Sequence, residues 1–215
     1  MKNEVLSLGP YEANCYLIWD ANNDALVIDP GYDGDQVSRT IENYRLNVRA
    51  WLLTHGHADH VSGLAAAHAK HPAPVYIHEG DASWVFSPDN HILPYYAAPK
   101  KHDGELTIIS ETQQMEIGSF QLQAIHTPGH SPGGVCYYFP KESLLFSGDT
   151  LFKGSAGRTD LRGGDSRALA HSLKLITELP DYTAVYPGHG DRTSLRLEKR
   201  SNYFLRQFIA QDGRP

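Results

Sequence analysis

Residues 54–60 read THGHADH and directly follow the apolar run AWLL at 50–53. Four side chains of types that commonly bind metals stand within this stretch: His55, His57, Asp59 and His60. Imidazole and carboxylate groups are ligands for Zn, Fe or Mn. Because functional side chains often lie on loops that a rigid scaffold positions, this stretch predicts a metal site where a buried strand ends.

Three later motifs repeat the pattern of a histidine or aspartate at the end of a β-like run. They are HTPGHSPGG at 126–134, FSGDTLF at 146–152 and YPGHG at 186–190. They add His130, Asp149 and His189 to the candidate ligands. Histidines together with a bridging carboxylate can hold two metal ions about 3.5–4 Å apart, so the sequence predicts two divalent metals sharing one cleft.

Length and composition favour a soluble globular protein of one domain covering residues 1–215. Hydrophobic residues make up 40% of the chain, and no segment approaches the roughly 18 uninterrupted apolar residues of a membrane helix. The first twenty residues lack the basic and apolar regions of a signal peptide. We therefore expect no membrane association and a cytoplasmic location.

Charge and cysteine content exclude further classes. The net charge is −6 and the pI is near 6.0, whereas nucleic-acid binding rests mainly on Lys and Arg, so we expect no nucleic-acid partner. Only Cys15 and Cys136 are present, each in an apolar β-like run. They are predicted to be inert core thiols.

Short β-like runs alternate with helical patterns along the chain, which is typical of an α/β protein. A helix is predicted after Asp33 with Val37, Ile41 and Tyr44 on one face, and a hairpin about Gly118. Further helices are predicted in three positions. The first follows THGHADH, the second starts from a cap at Asp165 or Ser166, with Leu169, Leu173 and Ile176 on its inner face and Pro180 as its stop, and the third is one final helix over 194–210. The turn-rich segments 88–104 and 153–164 are expected to form lids or pocket walls.

Taken together, THGHADH, HTPGHSPGG, GDTLF and PGHG resemble the metallo-β-lactamase superfamily. The likeness spans nearly the whole chain, since LGPYEANCYLIWD and VIDPG near the start also look like the family's first strands. It implies a four-layer αββα sandwich built from two similar halves. It also implies that His55, His57 and His130 hold one metal, that Asp59, His60 and His189 hold a second, and that Asp149 bridges them.

Within that superfamily, GDTLFKGSAGRTD at 148–160 is similar to the hydroxyacylglutathione hydrolases, or type II glyoxalases, in a short form without the C-terminal helical domain. Longer members carry a lysine and, two residues later, a tyrosine on the glutathione moiety. Arg158 and Asp160 occupy the matching positions here. Arg158 and Lys153 are accordingly predicted to bind an anionic substrate, and the alternative for Arg158 is an ion pair with Asp160 that braces the loop.

The resemblance implies a metal-dependent hydrolase of thioesters, with S-D-lactoylglutathione as substrate and D-lactate and glutathione as products. A hydroxide bridging the two metals would be the nucleophile, and Asp59 would also orient its proton. A thiol with a pKa near 8.5 leaves as thiolate, so no general acid is required. Zn is the expected metal, with Fe or Mn as alternatives, and the chain is expected to be a monomer or a small homo-oligomer.

Two other functions stay open at this point. The first is a persulfide dioxygenase of the same fold, with one iron on His55, His130 and Asp149. Persulfide dioxygenases carry a motif like PAHDY at the position where this chain has YPGHG, and this difference favours the hydrolase. The second is a metal-stabilised binding module without catalysis, although structural metals usually have closed shells that often include cysteine.

The remaining candidates are assigned structural roles. Asp29 in VIDPG is expected to form a turn before Pro30 rather than to face the site. His78 and His126 are candidates for holding a metal ligand in place. Five other histidines are expected on the surface or in loops: His68, His71, His91, His102 and His171.

Overall fold

The computed structural model describes residues 1–211, with side chains described for residues 1–207. Within this range two six-stranded sheets and one small hairpin are present. The first sheet contains β1 (Lys2–Leu8), β2 (Ala13–Trp19), β3 (Asp24–Ile28), β4 (Asn47–Leu52), β5 (Val75–His78) and β6 (Leu106–Ile109). The second contains β7 (Gln113–Ile117), β8 (Phe120–His126), β9 (Val135–Phe139), β10 (Leu144–Gly148), β13 (Ala184–Pro187) and β14 (Thr193–Ser194), and the hairpin is β11 (Leu151–Phe152) with β12 (Ser155–Ala156).

The helices are α1 (Gly34–Tyr44), α2 (Ala58–Val61), α3 (Leu64–Lys70), α4 (Glu79–Ala82), α5 (Ser166–Thr177), α6 (Leu195–Ser201) and α7 (Tyr203–Gln211). The first sheet runs in chain order from β1 to β6, antiparallel up to β3 and parallel from β3 onward. The second has the order β14-β13-β10-β9-β8-β7, in which only β10 and β13 are parallel neighbours. Each half of the chain therefore builds one sheet.

The two sheets stack face to face because their strands are apolar on both faces. Along β2, Tyr16 and Ile18 pack between the sheets, whereas Cys15 and Leu17 pack toward the helices α1 and α3. A third buried cluster joins the outer face of the second sheet to α5, through residues such as Leu173. Three apolar interfaces separate four layers, and the predicted αββα sandwich is confirmed.

The first predicted helix forms largely as expected. The Asp33 carboxylate accepts a hydrogen bond from the backbone N–H of Gln36 at 2.9 Å and caps α1. Val37 and Ile41 are buried, but Tyr44 is half exposed, with its ring centroid 4.9 Å from that of Trp19. Both cysteines are free and buried, as predicted.

The later helix is also confirmed. Asp165 caps α5 by accepting from the backbone N–H groups of Arg167 and Ala168, and the helix ends three residues before Pro180. The predicted inner face is buried. The hairpin at Gly118 joins β7 and β8, and Gly118 has a φ of +59°, a conformation that glycine adopts at little cost.

The prediction of one final helix over 194–210 is wrong. Asn202 has a ψ of 115° and separates α6 from α7. Its side chain donates to the carbonyl of Ser155 at 3.0 Å and accepts from the N–H of Leu205 at 3.2 Å. Long-range hydrogen bonds therefore hold the break, while Leu195 and Leu205 still bury on the second sheet. The side chains of residues 208–210 lie outside the described part.

Candidate metal centre

The loops that follow β4, β10 and β13 and the loop between β8 and β9 carry the candidate ligands. His55 and His57 follow β4, Asp59 and His60 lie in the short helix α2, His130 lies between β8 and β9, Asp149 follows β10, and His189 follows β13. Two triads of predicted ligands have ligand atoms within 4.8 Å of one another, namely His55, His57 and His130, and Asp59, His60 and His189, and a third group that meets the same distance, Asp29, His55 and His60, shares one histidine with each. The structure thus brings the seven predicted side chains together.

Asp149 lies between the two triads. Its Oδ2 is 3.4 Å from Nε2 of His130 and 3.6 Å from Nε2 of His189, and its Oδ1 is 3.4 Å from Nε2 of His60. A Cβ on Gly188 would collide with the same carboxylate, so the turn after β13 can approach only as glycine. This is the position that a bridging carboxylate requires.

Hydrogen bonds away from the cluster fix the orientation of three histidines. The Nδ1–H of His130 donates to the carbonyl of Arg158 at 2.8 Å, and the Nδ1–H of His189 donates to the carbonyl of Tyr11 at 2.9 Å. Their Nε2 atoms therefore carry lone pairs that face the cluster. Nε2 of His189 is 3.1 Å from Nε2 of His60, whose own Nδ1 is likewise hydrogen-bonded. Two facing lone pairs repel unless a cation or a proton lies between them, and this arrangement fits a cation site.

Asp29 contacts the candidate ligands, a position that the sequence reasoning ranked below a turn role. The expectation of a turn role is wrong, because its carboxylate accepts from the N–H of Thr54 at 2.7 Å, the hydroxyl of Thr54 at 2.6 Å and Nδ1 of His60 at 3.0 Å. The Thr54 oxygen in turn accepts from Nδ1 of His55 at 3.0 Å. One buried carboxylate therefore orients one histidine of each triad.

The donor set fits divalent metals. Among the described residues, Nε2 of His55 and Oδ1 of Asp149 are buried and find no hydrogen-bond partner, as expected of atoms that coordinate an ion. Burial lowers the pKa of His57 to about 4, which keeps its imidazole in the neutral form that binds metals. Burial also opposes protonation of His60, but Asp59 and Asp149 raise its pKa to about 10, so this part of the site strongly favours a positive charge.

Asp81 connects the two ligand loops and was also missed. Its fully buried carboxylate accepts from the N–H of Gly56 at 2.8 Å, the hydroxyl of Ser131 at 2.7 Å and the N–H of Gly133 at 2.7 Å. Gly56 lies between two ligands of the first triad, and Ser131 follows the third. The sequence signal was an aspartate three residues beyond the β-like run VYIH, in a helix too short to show a period.

The other histidines differ from expectation in two cases. His68 is buried in the helix α3 and lies neither on the surface nor in a loop, whereas His102 lies in a loop, as expected, with its side chain buried; their ring centroids are 4.7 Å apart. His78 and His126 stack at 3.8 Å, but their hydrogen bonds go to Ser110, Gly80 and Pro132 and not to a candidate ligand. Neither residue holds a metal ligand directly in this structure. His78 instead caps α4, the helix that carries Asp81.

A cavity of about 350 Å³ opens above the cluster. Metal-binding candidates form its floor, and apolar side chains and one arginine form its walls. Its lining is Tyr11, His57, Asp59, Ile92, His130, Asp149, Phe152, Ser155, Ala156, Arg158, Leu161 and His189. Residues of both predicted wall segments, 88–104 and 153–164, contribute to it. The volume suits a small organic substrate.

The two cationic side chains predicted to bind the substrate differ in position. Arg158 lines the cavity, and its guanidinium binds Asp160 through two contacts of 2.6 and 2.7 Å. Lys153 binds Asp191 at 2.8 Å and is not among the residues that line the cavity. A role in substrate binding stays a prediction for both.

Among the described residues, no helix combines the length and the apolar character that a membrane span requires.

Comparison with curated proteins identifies two informative relatives. The probable metallo-hydrolase YqgX of Bacillus subtilis (strain 168) is 37% identical over 216 residues, covering 97% of this chain and 99% of the relative. The hydroxyacylglutathione hydrolase GloC of Haemophilus influenzae is 32% identical over 217 residues, covering 95% and 98%. The likeness therefore extends along both whole chains.

Solved structures show the same fold. The crystal structure of BLEG-1 B3 metallo-beta-lactamase superposes with a TM-score of 0.89 at 37% identity, covering 95% of this chain and 99% of that one. TTHA1623 in a di-iron-bound form has a TM-score of 0.82 at 36% identity, covering 94% and 99%. The family model for the metallo-beta-lactamase superfamily matches residues 8–189, a range that contains every clustered histidine and aspartate described above. The chain therefore belongs to the metallo-beta-lactamase superfamily.

Proposed function

We propose that the protein is a metal-dependent thioester hydrolase that acts on S-(2-hydroxyacyl)glutathione, with S-D-lactoylglutathione as the first substrate to test. One observation supports this most: two histidine-containing triads share the carboxylate of Asp149 on the floor of a single cavity. The similarity to GloC supports the choice of substrate. Membership of the superfamily supports hydrolysis in general.

The seven residues would divide between two cations as the triads do. Cations held there would polarise a substrate carbonyl and supply a hydroxide nucleophile at neutral pH by lowering the pKa of water to about 7. Zinc is the metal proposed first, and the di-iron form of TTHA1623 supports iron as the alternative. The buried lone pairs at His55 Nε2 and Asp149 Oδ1 suit either metal.

Asp59 is the residue proposed to orient the proton of the hydroxide nucleophile. Burial opposes its ionisation, but His60 and His189 outweigh this effect and hold its pKa well below the usual value. Its carboxylate is therefore charged at neutral pH, lies 3.3 Å from Nε2 of His189 and lines the cavity. It can accept a hydrogen bond from an attacking hydroxide and so orient the proton of that nucleophile, whereas its low pKa makes it too weak a base to take the proton.

The cavity walls would position the two halves of the thioester. Phe152, Ala156 and Leu161 give an apolar wall beside the metal floor, where a short acyl chain fits. Arg158 lies on the same wall and is the proposed contact for a substrate carboxylate, with Lys153 as a second candidate from the same loop. The leaving thiol needs no proton from the protein because its pKa of about 8.5 lets it depart as thiolate.

The test is thiol release from S-D-lactoylglutathione by protein purified without oxygen, with the metal content measured per chain. We expect about two metal ions and turnover that His57→Ala abolishes, because this change removes a ligand of the first triad. His171→Ala, an exposed position on α5, is the matched control and should leave turnover unchanged. Oxygen uptake with glutathione persulfide, together with one iron per chain and no thiol release, would overturn the hydrolase and establish the dioxygenase.

A further inference from the structure

The cleft has a second arm beyond the metal floor. A cavity of about 270 Å³ shares Tyr11, His57, Ile92, Arg158 and Leu161 with the first cavity, and its other walls are polar or aromatic: Trp84, Asp89, Asn90, His91 and Arg162. We call this second cavity the outer arm. It touches the metal cluster only through His57. A thioester cleaved over the metal floor would therefore extend one of its halves into the outer arm.

Arg158 stands where the two cavities meet, and its charge is already matched. Nε and Nη2 donate to the two carboxylate oxygens of Asp160 at 2.6 and 2.7 Å. Arg162, the other arginine of the outer arm, lies 4.0 Å from the carboxylate of Asp89. Each arginine that lines either cavity therefore has a carboxylate neighbour within the described residues.

A guanidinium fork binds one carboxylate with two parallel hydrogen bonds, so Asp160 occupies the geometry that a substrate carboxylate would need. The pair is largely exposed, with 63% and 67% of the two side chains accessible to solvent. Exposed ion pairs hold weakly, so a substrate carboxylate can displace Asp160 but gains little by doing so. The displaced carboxylate also stays near and repels the incoming one.

Asp160 keeps this role across the pH range in which an enzyme operates. Its hydrogen bond with Arg158 lowers the pKa of Asp160 to about 2. The carboxylate is therefore ionised at neutral pH and competes for Arg158 as a full charge.

We infer that Asp160 is a specificity-determining residue: by holding the guanidinium of Arg158 it limits the gain from a carboxylate on the thiol half, so that the enzyme accepts neutral and carboxylate-bearing thiols with similar efficiency. The inference rests on the proposed function for its substrate and deepens it by naming the thiol class. It also assigns opposite effects to two neighbouring side chains, since Arg158 attracts the carboxylate and Asp160 offsets that attraction.

The test uses Asp160→Asn, which frees the guanidinium, and Asp35→Asn as the matched control. The control breaks a similarly exposed pair, that of Asp35 with Lys70, and neither of these two residues lines either cavity. Two readouts are taken on the metal-loaded protein. The first is kcat/KM for the same acyl group on glutathione and on neutral N-acetylcysteamine, and the second is the affinity for S-methylglutathione, which cannot offer a thiolate to the metals.

We expect Asp160→Asn to tighten S-methylglutathione about three- to tenfold and to raise kcat/KM for the glutathione thioester by a similar factor, as one freed charge-assisted contact allows. The kcat/KM for the N-acetylcysteamine thioester should change less than about twofold, and Asp35→Asn should change neither the two kcat/KM values nor the affinity for S-methylglutathione. Adding Arg158→Gln to Asp160→Asn should cancel the gain. This reversal shows that the effect depends on the guanidinium.

The outcomes separate the two hypotheses. Tighter binding of S-methylglutathione by the Asp160 variant, without turnover of any thioester by either protein, would retain the role of Asp160 and overturn the proposed function. Turnover with no change in S-methylglutathione affinity, or with equal changes for both thioesters, would overturn the role of Asp160 and leave the hydrolase standing. A loss of affinity in Asp160→Asn would mean that the pair braces the loop in a binding conformation, which also contradicts the inference.

Discussion

At the scale of single residues, Asp29 shows how one carboxylate can orient ligands of both proposed metals. It has a φ of +49°, and it receives hydrogen bonds from His60 and from Thr54, which contacts His55. In Asp29→Asn the amide would lose one acceptor oxygen and the negative charge. Because partners of this kind typically contribute 10- to 100-fold to metal affinity, we expect a loss of about that size, measured by competition with a chelator.

The control for this change is Asp181→Asn, an exposed carboxylate that binds Lys199. It should retain wild-type metal affinity. If Asp29→Asn binds both metals as tightly as the control does, the hydrogen bonds of Asp29 to His60 and Thr54 contribute nothing to metal affinity.

His78 gives a prediction about pH. Burial lowers its pKa, and the neighbouring imidazole of His126, stacked at 3.8 Å, lowers it further, whereas Glu79 and Asp81 act in the opposite direction. The unfolded chain therefore binds this proton more readily than the folded one, so the free energy of unfolding falls as the pH falls through about 6.5. His78→Gln should lose less stability between pH 7 and pH 5 than the wild type.

The measurement is denaturant unfolding at both pH values. Other titrating groups, the metal ligands included, are common to variant and wild type, so the difference between them reports His78. His171→Gln is the control, since this side chain is exposed. A wild-type pH dependence in His78→Gln would contradict the assignment.

At the scale of elements, Asp81 on α4 ties two ligand loops together. Its carboxylate accepts from Gly56, Ser131 and Gly133, which belong to loops on different sheets. The amide of Asp81→Asn would leave at least one of these buried donors without an acceptor, at a cost of about 2–3 kcal/mol in the free energy of unfolding. Denaturant unfolding measures this cost, and Asp103→Asn, an exposed position, serves as the control. Equal stability of the two variants would show that the loops hold their positions without Asp81.

The wall segment 88–104 is connected to the second triad through Tyr96. This fully buried side chain accepts the N–H of Tyr11 at 2.9 Å, and the carbonyl of Tyr11 accepts Nδ1–H of His189 at 2.9 Å. Tyr96→Phe removes the acceptor and loosens the backbone that orients His189, so we expect metal affinity at the second triad to fall several-fold, a smaller loss than at Asp29 because the contact is one step more remote.

Tyr95→Phe is the matched control for Tyr96→Phe, since Tyr95 is half exposed and contacts Tyr11 only through its ring. Chelator competition, resolved into two binding steps, compares them. Identical curves for both variants would mean that the wall segment packs beside the site without positioning it.

At the scale of the whole molecule, the sequence predicts features set by neighbouring residues and misses hydrogen bonds between residues far apart in the chain. The candidate metal ligands follow β-like runs closely, so a metal-binding role can be predicted for His55 or Asp149 from neighbouring residues in the chain. Asp29 and Asp81 each act on groups 25 residues away, and no local period shows which donors reach them. The break at Asn202 has the same cause, because a bond to Ser155 outweighs a continuous helical pattern.

The final prediction concerns the two halves of the sandwich. Four candidate ligands belong to the half that forms the first sheet: His55, His57, Asp59 and His60. The other three, His130, Asp149 and His189, belong to the half that forms the second sheet. A metal bound by both halves stabilises the folded state only, by about 2.7 kcal/mol at a free concentration 100 times its Kd. For a chain of this size, that energy corresponds to an increase in Tm of about 5–11 °C.

We therefore expect chelation to lower Tm by this amount and re-addition of Zn to restore it, measured by scanning calorimetry. The variant Asp149→Ala, which lacks the shared carboxylate, should show a much smaller shift on chelation. If the wild-type Tm is the same with and without metal, the halves are held by the apolar interface between the sheets alone, and the cluster contributes nothing to stability.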